Sequence, residues 1–324
     1  MTMRVKSAIA AATWLLCAGS ALAGSGDDPY HWLERMSAAM SQMNYQGTFV
    51  YVQGEEVVTM RITHVADDAG VRERLVSVSG APREFLRDSN GVRWVLGDDR
   101  SVLADPAFKR TFFPQLPIDH RGQTERCYAI ELGGIGRIAG QKVRGVSVLP
   151  KDHFRYGYTV WLEERSALML KWELVDGDRR PLAKLMFTDF RMGSEVDTSE
   201  LVPSSQLKKF RTVESRLPAG RGEAALPRWQ PRTLPPGFQL TDHRLFGQSG
   251  QGIFEHLVYS DGLAAVSVYV ESSAGEEGQA AGLSRMGTTH AFSRLSDDVF
   301  ITVIGDVPEA TVRYIGDAVA AVSP

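Results

Sequence analysis

From Tyr45 to about Arg191 the apolar side chains recur mostly at every second position. A period of two puts alternate side chains on opposite faces of an extended backbone, so this stretch must fold as strands with a buried face. Phe49 alternates with Tyr51, and Val58 with Met60 and Ile62. Phe85-Leu86-Arg87 and Val92-Arg93-Trp94-Val95-Leu96 flank Asn90-Gly91, a pair suited to a tight hairpin turn. Phe154 to Leu162 reads as one long strand and Leu168 to Val175 as the next. Asp176-Gly177 then turns into Leu182 to Phe190, which completes an antiparallel meander. A helix precedes it. Asp28 is the N-cap, Pro29 takes the first helical position, and Trp32, Met36, Ala39, Met40 and Met43 fall on one face.

Five prolines between Pro218 and Pro236, with Gly220-Arg221-Gly222 among them, interrupt this texture. Such a stretch suits neither a central strand nor a helix interior and reads as a joint between domains. Short strands follow at Phe238 to Phe246, Ile253 to Tyr259, Ala265 to Glu271, Ala291 to Leu295 and Val299 to Ile304, with a flexible Gly275 to Gly282 loop among them. A last helix is expected from Pro308, with Val312, Ile315, Val319 and Val322 as its apolar stripe. The expected organisation is α+β: a large first domain over 24–212, a Pro/Gly-rich linker over 213–233 and a smaller α/β domain over 234–324.

Residues 1–23 read as a secretory signal peptide. Arg4 and Lys6 precede an apolar run, Ala8 to Ala18, that is too short to span a bilayer, and Ala21-Leu22-Ala23 is a small-x-small cleavage site. Cleavage would deepen the net charge from −3 to −5, because only Arg4 and Lys6 are lost. It would also remove Cys17, leaving Cys127 as the single thiol, with no internal disulfide in an oxidising compartment. Cys127, in the alternating run Arg126 to Ile130, reads as a small buried residue. An exported, soluble mature protein is expected. Hydrophobic residues at 43% and charged residues at 23% exclude a disordered chain or a polytopic membrane protein, and the acidic balance lacks a nucleic-acid footprint.

Catalytic signatures fail in context. Gly134-Ile135-Gly136-Arg137-Ile138-Ala139 matches a dinucleotide-binding pattern, which works only where a strand turns into a helix. Here Gln141 to Val148 continues as a strand, so the match is read as a glycine-rich turn. The seven histidines are scattered singly, and Asp67-Asp68, Asp98-Asp99 and Asp297-Asp298 sit at turns. No enzyme, cofactor or metal is expected. What remains is large apolar side chains on strands: Phe49, Tyr51, Met60, Phe85, Trp94, Trp161, Met169 and Phe187 are the candidates to line an apolar ligand cavity.

Several segments then carry a family resemblance. They are Tyr45-Gln46-Gly47-Thr48-Phe49-Val50-Tyr51, Val71-Arg72-Glu73-Arg74-Leu75, Arg83-Glu84 and His153-Phe154-Arg155-Tyr156-Gly157-Tyr158 in the first domain. In the second they are Trp229, Leu234-Pro235-Pro236-Gly237-Phe238, Tyr259-Ser260-Asp261-Gly262-Leu263-Ala264, Val266 to Glu271 and Val303-Ile304-Gly305-Asp306-Val307-Pro308. In this order they resemble the MucB/RseB family of periplasmic negative regulators of the envelope-stress sigma factor. The resemblance implies a first domain similar to the lipoprotein carriers LolA and LolB, an unclosed curved sheet around a helical plug. It implies binding to the periplasmic segment of a single-span anti-sigma factor of the RseA/MucA type. That segment would be shielded from site-1 proteolysis until lipopolysaccharide or another lipid releases the regulator. Phe238, Tyr259 and Tyr269 are the expected partner contacts. The oligomeric state stays open, a homodimer included, and the alternative role is a lipid or lipoprotein carrier.

Overall fold

The computed structural model describes residues 28–80, 82–89, 91–96, 101–105, 121–202, 211–214, 226–248, 251–272, 281–296 and 298–322. The expected signal peptide lies outside the described residues, as does the expected Gly275 to Gly282 loop up to residue 280.

The chain opens with α1 (Pro29–Gln42), capped by the Asp28 carboxylate, which accepts from Tyr30 N at 3.0 Å. Six strands follow: β1 (Tyr45–Gln53), β2 (Glu56–Asp67), β3 (Gly70–Ser77), β4 (Arg83–Asp88), β5 (Gly91–Leu96) and β6 (Ser101–Asp105). After α2 (Arg121–Cys127) come β7 (Tyr128–Ile138), β8 (Gln141–Pro150), β9 (Gly157–Glu163), β10 (Met169–Val175), β11 (Pro181–Met192) and β12 (Arg211–Glu214). Together the twelve strands form one sheet in the order β12-β6-β5-β4-β3-β2-β1-β11-β10-β9-β8-β7. All neighbours are antiparallel except β12 and β6. The sheet is open, with β12 and β7 as its edges.

Its curvature follows from the helix. α1 touches β2 and also β7 and β8, at least five places away in the sheet. The sheet therefore curls around α1, which buries Trp32, Leu33, Met36 and Ala39 against Phe49, Ile62, Leu75, Phe85 and Phe187. Each fully buried large side chain contributes roughly 1.5–3 kcal/mol. Gly47 makes one close approach possible: a β-carbon there would meet Asp189 O at 2.3 Å and the Phe187 ring at 2.8 Å. The β1–β11 register shifts between Thr48 and Phe49, next to this contact.

The second domain is built from β13 (Trp229–Pro231), β14 (Gln239–Gln248), β15 (Gln251–Ser260), β16 (Ala265–Ser272), β17 (Gly282–Met286), β18 (Thr289–Ser296), β19 (Val299–Gly305), α3 (Glu309–Ala318) and β20 (Val319–Ala321). Its antiparallel sheet runs β14-β15-β16-β19-β18-β17, with β13 and β20 paired separately. α3 packs Val312 and Ile315 onto Leu257, Val266, Val268, Ile301 and Val303. The α+β architecture, with an unclosed curved sheet around a helix and a smaller second domain, is the one the alternation and the resemblance predict.

Local readings change in five places. Strand β9 begins at Gly157, so Phe154-Arg155-Tyr156 lie before it; their alternation reflects contacts with the second domain rather than a ladder. Gly134 sits inside β7 at a register shift between Leu132 and Ile135, so the Gly-x-Gly match is a bulged strand, not a turn. Cys127 closes α2 instead of lying on a strand, and it is buried as expected. The last helix ends at Ala318; Val319 starts β20, and Val322 N donates to Arg228 O, because the chain leaves the helix to pair with β13. Gly282 opens a strand, β17, that the reading as a loop missed.

Candidate functional site at the domain seam

Register separates the cavity candidates by face. Phe49 pairs with Phe187 and with Met60, and Tyr51 pairs with Leu185, which pairs with Trp172. These residues share the face turned to α1. On it Phe49, Phe187, Phe85 and Met169 are fully packed into the core. Tyr51 and Met60 are only partly buried, as are Tyr158 and Trp172, whose rings lie 6.3 Å apart. Trp161 pairs with Lys171, next to Trp172 in sequence, so it belongs to the opposite face. There its ring covers Gly136 and Gly145. Trp94 lies opposite Phe85 in the β4–β5 register. The partly buried side chains of this face are thus Tyr51, Met60, Tyr158 and Trp172, and the indole N–H of Trp172 is buried without a partner. An unsatisfied donor in an apolar wall is costly, and it is a ready handle for an acceptor.

The partner candidates also part company. Tyr259 is buried in the second domain's core and Phe238 at the junction of the domains. Tyr269 lies on the sheet face away from α3, stacked on His256 at 4.4 Å and on Phe254 at 5.7 Å.

The first domain's concavity has one end at Tyr128, Gly157, Val175, Pro181 and Gln53, where β7, β9, β10, β11 and β1 start or stop. The second domain meets that end. Gln53 Nε2 donates to Thr288 Oγ1 at 2.9 Å, and both Thr288 and Thr289 hydroxyls donate to Asp306 Oδ1. Thr311 Oγ1 donates to Phe154 O at 2.6 Å, and the Phe154 ring lies 5.1 Å from that of Tyr314. Leu263 packs, partly buried, against the first domain's core. At the far end a cavity of about 520 Å³ opens over Met43, Phe190 and Met192, rimmed by Arg165 and Arg191.

The centre of the seam is ionic. The Arg155 guanidinium is fully buried and pairs with Asp261 of the second domain, itself fully buried. Arg155 Nε and Nη2 also donate to Asp152 at 3.0 Å, and Nη2 donates to Pro236 O at 2.6 Å. Its plane lies against the Tyr128 and Phe238 rings at 5.4 and 5.3 Å. Tyr128 OH donates to Asp261 Oδ2 at 3.0 Å; burial, and next the Asp261 charge, hold this phenol well above its usual pKa, so it stays a donor. Asp261 Oδ1 accepts the backbone N–H groups of Leu263 and Ala264. Breaking a buried pair costs about 3–5 kcal/mol where the remaining charge has no other partner; here Asp152 remains for Arg155 and the two N–H groups for Asp261.

Sequence reading did not assign these residues a role. Yet Arg155 and Asp261 are each the lone charge flanked by aromatic or small residues in two of the quoted segments. Pro236, Gly237 and Phe238 come from a third, and Asp306 from a fourth. Four segments recognised separately thus converge on one seam. Among the described residues no group of His, Cys, Asp or Glu could hold a metal, and no helix is long and apolar enough to cross a membrane.

The comparisons agree with this architecture. The MucB/RseB N-terminal domain matches residues 28–205 and the MucB/RseB C-terminal domain residues 223–320. The sigma factor AlgU regulatory protein MucB of Pseudomonas aeruginosa is 31% identical over 299 residues, 89% of each chain. The sigma-E factor regulatory protein RseB of Escherichia coli is 24% identical over 296 residues, 88% of each. The solved Pseudomonas aeruginosa MucA/MucB complex contains a chain that superposes with a TM-score of 0.71 at 27% identity, covering 92% of this chain and all of that one. A crystal structure of MucB gives 0.60 at 26% identity, covering 90% and 97%. Matched in both domains, in order and over nearly its whole length, the chain belongs to the MucB/RseB family.

Proposed function

We propose that this protein is a periplasmic regulator of an envelope-stress sigma factor. It binds the periplasmic segment of a single-span anti-sigma factor, shields that segment from site-1 proteolysis, and lets go when a lipid or lipopolysaccharide signal binds. The observation that carries this reading is the likeness of both domains to MucB in its solved complex with MucA. Shielding a peptide needs surface, not catalysis, and an extended segment that orders on binding loses entropy, which keeps the complex releasable. A lipid can act as the signal only by preferring the conformation that does not hold the partner. Export by the 1–23 signal peptide would place the protein beside both ligands.

The test is to titrate the chain over 24–324 with the periplasmic segment of the anti-sigma factor and follow cleavage by the site-1 protease. Protection that saturates at one chain per segment, and is lost on adding lipopolysaccharide, is expected. Unchanged cleavage would sink the proposal. A second reading, a lipid or lipoprotein carrier, is favoured by the partly buried Tyr51, Met60, Tyr158 and Trp172. It predicts acyl chains bound at this surface whether or not the partner is present.

A further inference from the structure

We propose that Arg155–Asp261 is the latch of a lid. The second domain closes one end of the first domain's concavity, and breaking this one pair releases it as a unit while each domain keeps its own core. The domains carry separate apolar clusters, and among the described residues only Leu263 of the second packs against the first. The seam is held mainly by directional polar contacts, which separate more cleanly than a shared core. The latch also survives opening on both sides. Arg155 keeps the bidentate Asp152 of its own domain, and Asp261 keeps the N–H groups of Leu263 and Ala264. Neither charge is orphaned when the domains part and water enters, so the pair supports two states instead of gluing one. Beside the closed end, Tyr156 OH lies 3.4 Å from His290 Nδ1 and Gln53 Nε2 donates to Thr288 Oγ1, both in the second domain.

The protein carries its own reporter. Cys127 is buried at the seam, with Sγ 3.6 Å from Pro236 O, so closure shields the thiol from alkylation. The experiment follows iodoacetamide labelling of Cys127 by peptide mass spectrometry in the native mature chain, with neither partner nor lipid present. Its failure is therefore distinct from failure of the regulatory reading. Asp261→Asn keeps the shape but sets an amide against the Arg155 and Tyr128 donors. It is expected to speed labelling by about ten- to a hundredfold, the weight of one charge-assisted hydrogen bond. Tyr128→Phe, the milder change, is expected to give about fivefold. Lys142→Ala, which breaks an exposed pair elsewhere, leaves the rate unchanged. Rates within twofold of wild type in both seam variants, or labelling only at denaturant that unfolds both cores, would overturn the proposal.

Discussion

Gly237 and Cys127 touch so closely across the seam that a β-carbon on the glycine would lie 2.4 Å from the cysteine sulfur. Gly237 also has φ +83°, where any other residue is strained. Gly237→Ala is expected to destabilise the protein by about 2–3 kcal/mol in denaturant unfolding. Adding Cys127→Ala removes the clash but not the backbone strain, so the double variant recovers part of the loss. Strict additivity of the two changes would show that the contact is not made.

A buried polar row crosses the first sheet: Tyr45 faces His64, His64 faces Glu73, and Glu73 faces Arg87. Burial raises Glu73 to about 7 against the pull of Arg87, and burial lowers His64 to about 4. The signs oppose. The folded state holds the Glu73 proton more tightly than the unfolded chain, so stability falls as pH climbs from 4.5 to 7. A rise from 4.5 to about 7 corresponds to roughly 3 kcal/mol. His64 stays neutral when folded, so stability falls as pH drops from 6.5 to 4. Glu73→Gln is therefore expected to raise the melting temperature at pH 8 and leave it nearly unchanged at pH 4.5. An equal shift at both pH values would refute the assignment.

Core and concavity differ in what alanine does. Phe49→Ala and Phe187→Ala remove fully packed rings and are expected to cost about 3–5 kcal/mol. Tyr51→Ala and Met60→Ala are expected to cost less than half of that, yet to weaken binding of a fluorescent fatty-acid probe several-fold. A probe affinity untouched by either change would place the ligand elsewhere.

The Asp28 cap is a local test. Asp28→Ala removes the acceptor for Tyr30 N and is expected to cost about 1 kcal/mol, read by denaturant midpoint. Asp28→Asn keeps the cap and should retain most of the stability, although its pairing with Arg121 weakens.

Alternation made the strands of the first domain legible because one face of each is dry: Phe49, Ile62, Leu75 and Phe85 announce themselves. The same rule misled at Phe154-Arg155-Tyr156, where an aromatic-polar-aromatic pattern marks a docking segment that buries its arginine. Periodicity carries no information about which partner satisfies a charge. For the same reason the parallel pairing of β12 with β6 had no local signal. Nor could hydrophobicity separate the packed Phe187 from the partly open Tyr51; that depends on where α1 stops filling the curve.

The centre of the large sheet is the pairing of β1 with β11, strands about 140 residues apart. On one side of it β1 to β6 zip up hairpin by hairpin, and on the other β7 to β11 do the same. Until the second half arrives, β1 presents a bare hydrogen-bonding edge with Phe49 and Tyr51 beside it, a template for any passing strand. A chain made from its N-terminus must wait for most of the domain before it can close that edge. Long-range pairing of this kind closes last and slowly, so the β1–β11 junction is where misassembly is expected to begin.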